Sequence, residues 1–172
     1  MLNDNLEQQL TTLYDYWFTQ FDFPDENGKP YQSSGRKMVM NNCLKKKIPD
    51  GWNVESVYSN QLSSIIKPGV DKFDTKTYFA TADIKGTSLS SGALIDYENR
   101  ENRANMQPSV NSVWFAKMKN SIKHLYLNEE MLPIILSSIL STGFCGLQCS
   151  DVSFEYMASY ISNTYFETHK DM

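Results

Sequence analysis

The sequence predicts a mixed α/β fold: a compact, twisted, partly barrel-like sheet with flanking helices and a projecting N-terminal helix. Three observations carry this expectation. Leu6, Leu10, Leu13 and Trp17 recur at helical spacing near the start. Short runs rich in β-branched and aromatic residues, such as Thr77–Ala82 and Val113–Ala116, alternate with turn residues through the middle. Phe154, Met157, Ala158, Ile161 and Tyr165 return to helical spacing near the end. An apolar fraction of 41% and an aromatic fraction of 13% over 172 residues supply a core and argue against disorder.

Taken in order, the first helix is expected over about residues 4–21, capped by Asn3 or Asp4 and stopped before Pro24. Tyr14, Phe18 and Phe21 widen its apolar stripe. A helix of this length is marginal alone in water, so the stripe needs a partner surface in this chain or another. Phe23 to Pro49 is punctuated by Pro24, Asn27-Gly28, Pro30, Ser33-Ser34-Gly35 and Pro49, the composition of a linker with tight turns. Lys45-Lys46-Lys47 is either a solvated loop or a phosphate contact.

Trp52 to Val57 alternates apolar and polar residues, as a half-buried strand does. Ser59 to Ile66 fits a helical turn ended by Pro68-Gly69. Asp83-Ile84-Lys85-Gly86 leaves the strand at 77–82 for a Ser/Gly loop over Thr87 to Gly92, and Ala93–Tyr97 fits a short strand. A charged turn from Arg100 runs through Pro108 into the apolar run Val113–Ala116. Lys117 and Lys119 follow at a spacing of two, which puts them on one face of an extended strand end. Ile122–Leu127 fits another strand. Met131–Phe144 fits two strands joined at Ser137-Ser138 or one long buried strand. A closing helix over about 152–167 takes Ser150 or Asp151 as its cap.

Residues 1–35 hold one Lys and six acids, residues 36–126 hold fourteen Lys/Arg and eight acids, and residues 127–172 hold one Lys and six acids. The balances are −5, +6 and −5, so a basic middle lies between acidic ends and permits one positive face. No apolar run approaches the ~20 residues of a membrane span, and the N-terminus lacks a signal-peptide pattern. A cytoplasmic protein with no membrane partner is expected. Cys43, Cys145 and Cys149 are scattered thiols suited to a reducing compartment. His124 and His169 are lone histidines, read as surface or satisfied side chains. No metal site and no cofactor is expected: no phosphate-binding glycine loop, no Pro-Pro and no convincing carboxylate cluster occurs, since Asp96, Glu98 and Glu101 flank a turn.

Recognition remains. Base edges in DNA are read by Arg or Lys on guanine and Asn or Gln on adenine, while lysines and hydroxyls hold phosphates. Arg103, Asn105, Gln107, Lys117 and Lys119 supply both sets, with Lys85, Thr87 and Ser88 beside them. Met106, Trp114 and Phe115 are expected to be structural.

Two stretches carry a resemblance. Residues 103–119, R-A-N-M-Q-P-S-x-N-S-V-W-F-A-K-M-K, resemble the core motif of target recognition domains in the specificity subunits of type I restriction–modification systems. Residues 13–31, Leu13-Tyr14-Asp15-Tyr16-Trp17-Phe18 through Pro30-Tyr31, resemble the junction where a spacer helix hands over to such a domain. Ile48–Trp52, the T-A-D-I sequence at 81–84 and Ser141-Thr142-Gly143-Phe144 fit the same family. The resemblance implies that residues 1–22 end a spacer helix, 23–50 link, and 51–172 form one recognition domain truncated at its C-terminal spacer helix. It implies a non-catalytic chain that reads one half of a split duplex target. Methylation and cleavage would lie on modification and restriction subunits. Leu6, Leu10, Leu13, Tyr14, Trp17 and Phe18 would form a subunit interface, with self-pairing through this helix also open. The alternatives are a protein-interaction or regulatory module that pairs with intact specificity subunits through the aromatic helix, and a small enzyme with an unrecognised site.

Overall fold

The computed structural model describes residues 2–170, and for residues 2–4 and 7 the backbone alone. Asn3 and Asp4, the expected caps, therefore fall outside the described side chains. The chain separates into two compact units, Met1–Ser56 and Val57–Met172.

In the first unit, helix α1 spans Leu2–Tyr14 and widens into a π-helical turn over Asp15–Thr19. The expected helix to residue 21 thus closes two residues early, when Phe21 takes a positive φ of 59°. The segment expected as a linker is more ordered than its turn residues imply. Strands β1 (Met38–Asn41) and β2 (Lys46–Pro49) form an antiparallel hairpin, and Ile48 is buried. Trp52 anchors an aromatic cluster: Phe23 stacks on it at 5.1 Å, Phe21 meets it edge-on at 5.6 Å, and Phe18 lies at 6.4 Å. Such pairs add roughly 0.5–1.5 kcal/mol each beyond area burial. The alternation at 52–57 makes no strand; Trp52 joins this cluster instead. The turn at 24–30 is built on Asp25, which accepts the Asn27 and Lys29 amides at 2.8 and 2.9 Å and the Arg36 guanidinium at 2.8 and 2.5 Å.

The second unit holds strands β3 (Ser63–Ile65), β4 (Lys76–Phe79), β5 (Ile84–Lys85), β6 (Ser88–Leu89), β7 (Ala93–Ile95), β8 (Ala104–Met106), β9 (Ser112–Ala116) and β10 (His124–Leu127). Helix α2 (Leu132–Ser137), strands β11 (Ser138–Ser141) and β12 (Phe144–Cys149) and helices α3 (Phe154–Ser162) and α4 (Thr164–Lys170) follow. Two four-stranded sheets run in the orders β10-β9-β12-β3 and β7-β4-β11-β8, and β5-β6 is a small hairpin. The fold is mixed α/β as expected, but among the described residues the sheets stay separate and none closes into a barrel.

Strand β9 explains the architecture. All five of its residues are buried, because both faces of its sheet are covered. Trp114 and Ala116 face one cluster with Phe79, Ile84, Met106, Leu125, Leu140 and Phe144. Val113 and Phe115 face the other, with Leu147 and with Phe154, Met157, Ile161 and Phe166 of α3 and α4. Met106, Trp114 and Phe115 are core residues, as expected.

Several expectations change. Ser59–Ile66 contains β3 and not a helical turn, because Ile65, Ser64 and Ser63 pair with Leu147, Gln148 and Cys149. Within the Thr87–Gly92 loop, Ser88 and Leu89 form β6 and pair with Lys85 and Ile84. The apolar run at 131–144 splits into α2, with Pro133 at its first turn, and then β11; the two strands meet at Thr142-Gly143 and not at Ser137-Ser138. The closing helix is two helices, broken where Asn163 turns extended and its side chain accepts the Tyr165 amide at 2.8 Å to start α4. Helix α3 begins after Ser153 and not after Ser150 or Asp151.

Candidate nucleic-acid interface

Strands β11 and β12 belong to different sheets and are joined by the two residues Thr142-Gly143. This turn gathers three other segments. The Thr142 amide donates to the Arg103 carbonyl at 2.8 Å, and the Lys117 amide donates to the Gly143 carbonyl at 2.9 Å. A Cβ at Gly143 would come within 2.7 Å of the Thr81 methyl, so glycine permits the close approach of the 81–83 turn. The Lys123 ammonium donates to the Thr81 carbonyl. The β5–β6 hairpin is tied in by the His124 amide, which donates to the Gly86 carbonyl at 3.0 Å. Ile84, fully buried, roots that hairpin in the core.

Segments 81–90, 101–105, 117–123 and 141–144 therefore meet. They carry five cations, Lys85, Arg103, Lys117, Lys119 and Lys123, against two acids, Asp83 and Glu101. Lys85, Thr87, Ser88, Arg103, Lys117 and Lys119 are all exposed. Among the described residues, Lys85, Arg103, Lys117 and Lys119 form no salt bridge, whereas Lys37 pairs with Asp50 at 3.0 Å and Arg36 with Asp25 at 2.5 Å. Unpaired cations held by these segments keep their full charge for an anionic ligand. Lys117 also acts inward: burial raises the Cys145 thiol pKa and the nearby Lys117 charge pulls it part of the way back.

The placement departs from expectation in two respects. Lys117 and Lys119 lie beyond the end of β9, in a turn where Asn120 takes a φ of 54°, so strand alternation does not align them. Gln107 is engaged within the fold. Its amide nitrogen donates to the carbonyls of Pro108 and Ile135 at 3.0 and 3.2 Å, and its oxygen accepts the Lys76 ammonium at 2.8 Å. A base edge would have to displace all three contacts, so Gln107 braces the loop. Burial lowers the Lys76 pKa, with Asp71 opposing. Asn105 is half-buried, and its carbonyl accepts the Gly69 amide at 2.8 Å.

Sequence reasoning missed the residues that hold this edge together. The Lys170 ammonium donates to the carbonyls of Ala116, Met118 and Ser121 at 3.1, 3.4 and 3.2 Å. Glu167 lies 2.6 Å from Lys170 and 2.7 Å from His124 Nε2. His124 is thus a satisfied buried side chain. The one available signal was His169-Lys170 in the last turn of a C-terminal helix, and helical pattern alone does not say what those residues reach.

The candidate interface residues of α1 and the π-helical turn divide. Tyr14 and Phe18 lie 5.0 Å apart, and Trp17 and Phe18 6.3 Å apart, within the aromatic cluster of the first unit. Leu6, Leu10 and Leu13 remain 54%, 49% and 45% exposed. No helix of the described residues is long and apolar enough to cross a membrane. No group of His, Cys, Asp and Glu among them is arranged to hold a metal ion.

No protein-family model matches the chain. No curated protein matches it either. Among solved structures it is similar to the HsdS subunit from Thermoanaerobacter tengcongensis, with 19% identity and a TM-score of 0.40. That alignment covers 52% of this chain, and the chain spans 22% of the length of that one.

Proposed function

We propose that this chain recognises double-stranded DNA and reads one half of a split target as a specificity component of a type I restriction–modification complex. Residues 1–22 would be the end of a spacer helix and 51–172 the recognition domain. Methylation and cleavage belong to modification and restriction subunits, and this chain is not an enzyme. Its three free cysteines suit the cytoplasm.

One observation carries the reading. The Arg103 carbonyl and the Lys117 amide both bond the Thr142-Gly143 turn, so the start and the latter part of the 103–119 motif meet at one edge. Arg103 is assigned to a base edge, with Asn105 beside it. Lys85, Thr87, Ser88, Lys117 and Lys119 are assigned to phosphates. The test is selection from a random duplex pool followed by titration across salt concentrations. Lys119→Ala should weaken all duplexes and lower the salt slope by about 1. Arg103→Ala should broaden the selected sequences. Absence of binding by the wild type at low salt, or matching behaviour of both variants and the wild type, overturns the reading.

A second assignment rests on the exposed Leu6-Leu10-Leu13 stripe, which fits a helix of a partner subunit or of a second copy. Leu6→Glu with Leu10→Glu should abolish that pairing in sedimentation and leave DNA binding intact.

A further inference from the structure

The turn after β9, Lys117-Met118-Lys119-Asn120-Ser121-Ile122-Lys123, places two large apolar side chains in water among three lysines. Met118 is 57% exposed and Ile122 64% exposed. Their exposure is not a sign of a slack loop. Its first residue is held by the Gly143 carbonyl, and its last donates through its ammonium to Thr81 and accepts the Ala116 amide at 3.1 Å. From beneath, the buried Lys170 ammonium binds the Met118 and Ser121 carbonyls, and Ser121 itself is buried. The backbone is ordered before any ligand arrives, while the apolar ends stay outside. Preorganisation of this kind removes the ordering cost from binding.

Apolar side chains set among phosphate-seeking cations are the equipment of proteins that kink DNA. Met, Leu or Ile enters between base pairs while Lys or Arg holds the flanking backbone. Resting on the DNA-recognition reading, we infer that residues 117–123 form a wedge that unstacks a base step of the bound duplex. Met118 and Ile122 supply the apolar surface, and Lys117 and Lys119 hold the phosphates on either side. A wedge prefers a step that is cheap to open, so part of the target choice falls on a pyrimidine–purine step that no side chain reads by hydrogen bonds.

The test uses the full chain and a duplex selected from the random pool, with 2-aminopurine replacing adenine at each pyrimidine–purine step in turn. Wild type should raise the emission at one step on binding. Met118→Ala with Ile122→Ala should lose that rise and keep the salt slope, because the lysines remain. Both side chains are exposed, so an unchanged urea midpoint will verify that the variant is folded. Binding with no emission change at any step, or an equal rise with the variant, overturns the wedge and leaves DNA recognition standing. The same holds if the variant loses only the capture of a partner subunit, which would make the pair a protein contact. Failure of the wild type to bind any duplex overturns the recognition reading itself, and the wedge with it.

Discussion

His124 Nε2 lies 2.7 Å from Glu167 Oε1, and both side chains are buried. The same carboxylate reaches the Lys170 ammonium at 2.6 Å, so one acid from α4 joins the start of β10 to the cation beneath the basic turn. Removing it leaves a buried ammonium without its counter-charge. Glu167→Ala should cost about 3–5 kcal/mol, the range for breaking a buried ion pair from one side. Glu167→Gln should cost less, since a hydrogen bond to His124 survives. Urea unfolding monitored by circular dichroism measures both.

Gly146 sits opposite Trp114 in the β9–β12 pairing, and a Cβ there would lie 2.6 Å from the indole ring. The ring is fully buried, and its Nε1 donates to the Ser112 hydroxyl at 2.8 Å, so it has little room to retreat. Gly146→Ala should destabilise by about 1–3 kcal/mol through overpacking. A lower urea midpoint with an unchanged m-value checks this.

The three thiols should separate by reactivity. Cys43 is exposed, whereas burial raises the Cys145 pKa and pushes Cys149 up to about 11. A disulfide reagent at about pH 8 should modify one thiol at once and the other two only on unfolding, since the thiolate is the reactive form. Because the folded pKa values of Cys145 and Cys149 exceed the unfolded value of about 8.5, stability is undiminished below that pH. It then falls as pH rises through the folded values, because the unfolded chain releases its protons first. Urea midpoints across the alkaline range should decline, and Cys149→Ser should alter that decline.

Acid should loosen the turns of the N-terminal unit. The Ser33 hydroxyl and amide donate to Asp22 at 2.5 and 2.7 Å and hold its carboxyl below the usual value. The Lys29 amide and the Arg36 guanidinium do the same for Asp25. Both groups contribute stability above the ordinary carboxylate value, and it is lost as pH falls through their lowered folded values. The Ser33 amide resonance should titrate with a midpoint below the ordinary value, and Asp22→Asn should abolish that step.

Much of the secondary structure could be read locally, and the exceptions share a cause. Val113–Ala116 was legible as a buried strand because β-branched and aromatic residues leave few alternatives there. The residues at 52–57 alternate equally well, yet no neighbouring strand offers them a ladder. Ser63–Ile65 has weak strand character and becomes a strand because β12 presents its edge. Pro133 favoured a helix start, but the long apolar run around it fitted a strand as well.

By itself, the order of residues marked candidate side chains for an anionic polymer and the buried run Val113–Ala116, and it offered no familiar catalytic pattern. Only the tertiary structure decided that Arg103 and Lys117 meet at the Thr142-Gly143 turn, that Gln107 faces inward, and that Lys170 underlies the basic turn. Residue type and periodicity act over a few positions. The hydrogen bonds that assemble this edge join segments tens of residues apart, and they form only once two sheets and two helices have closed on a common core.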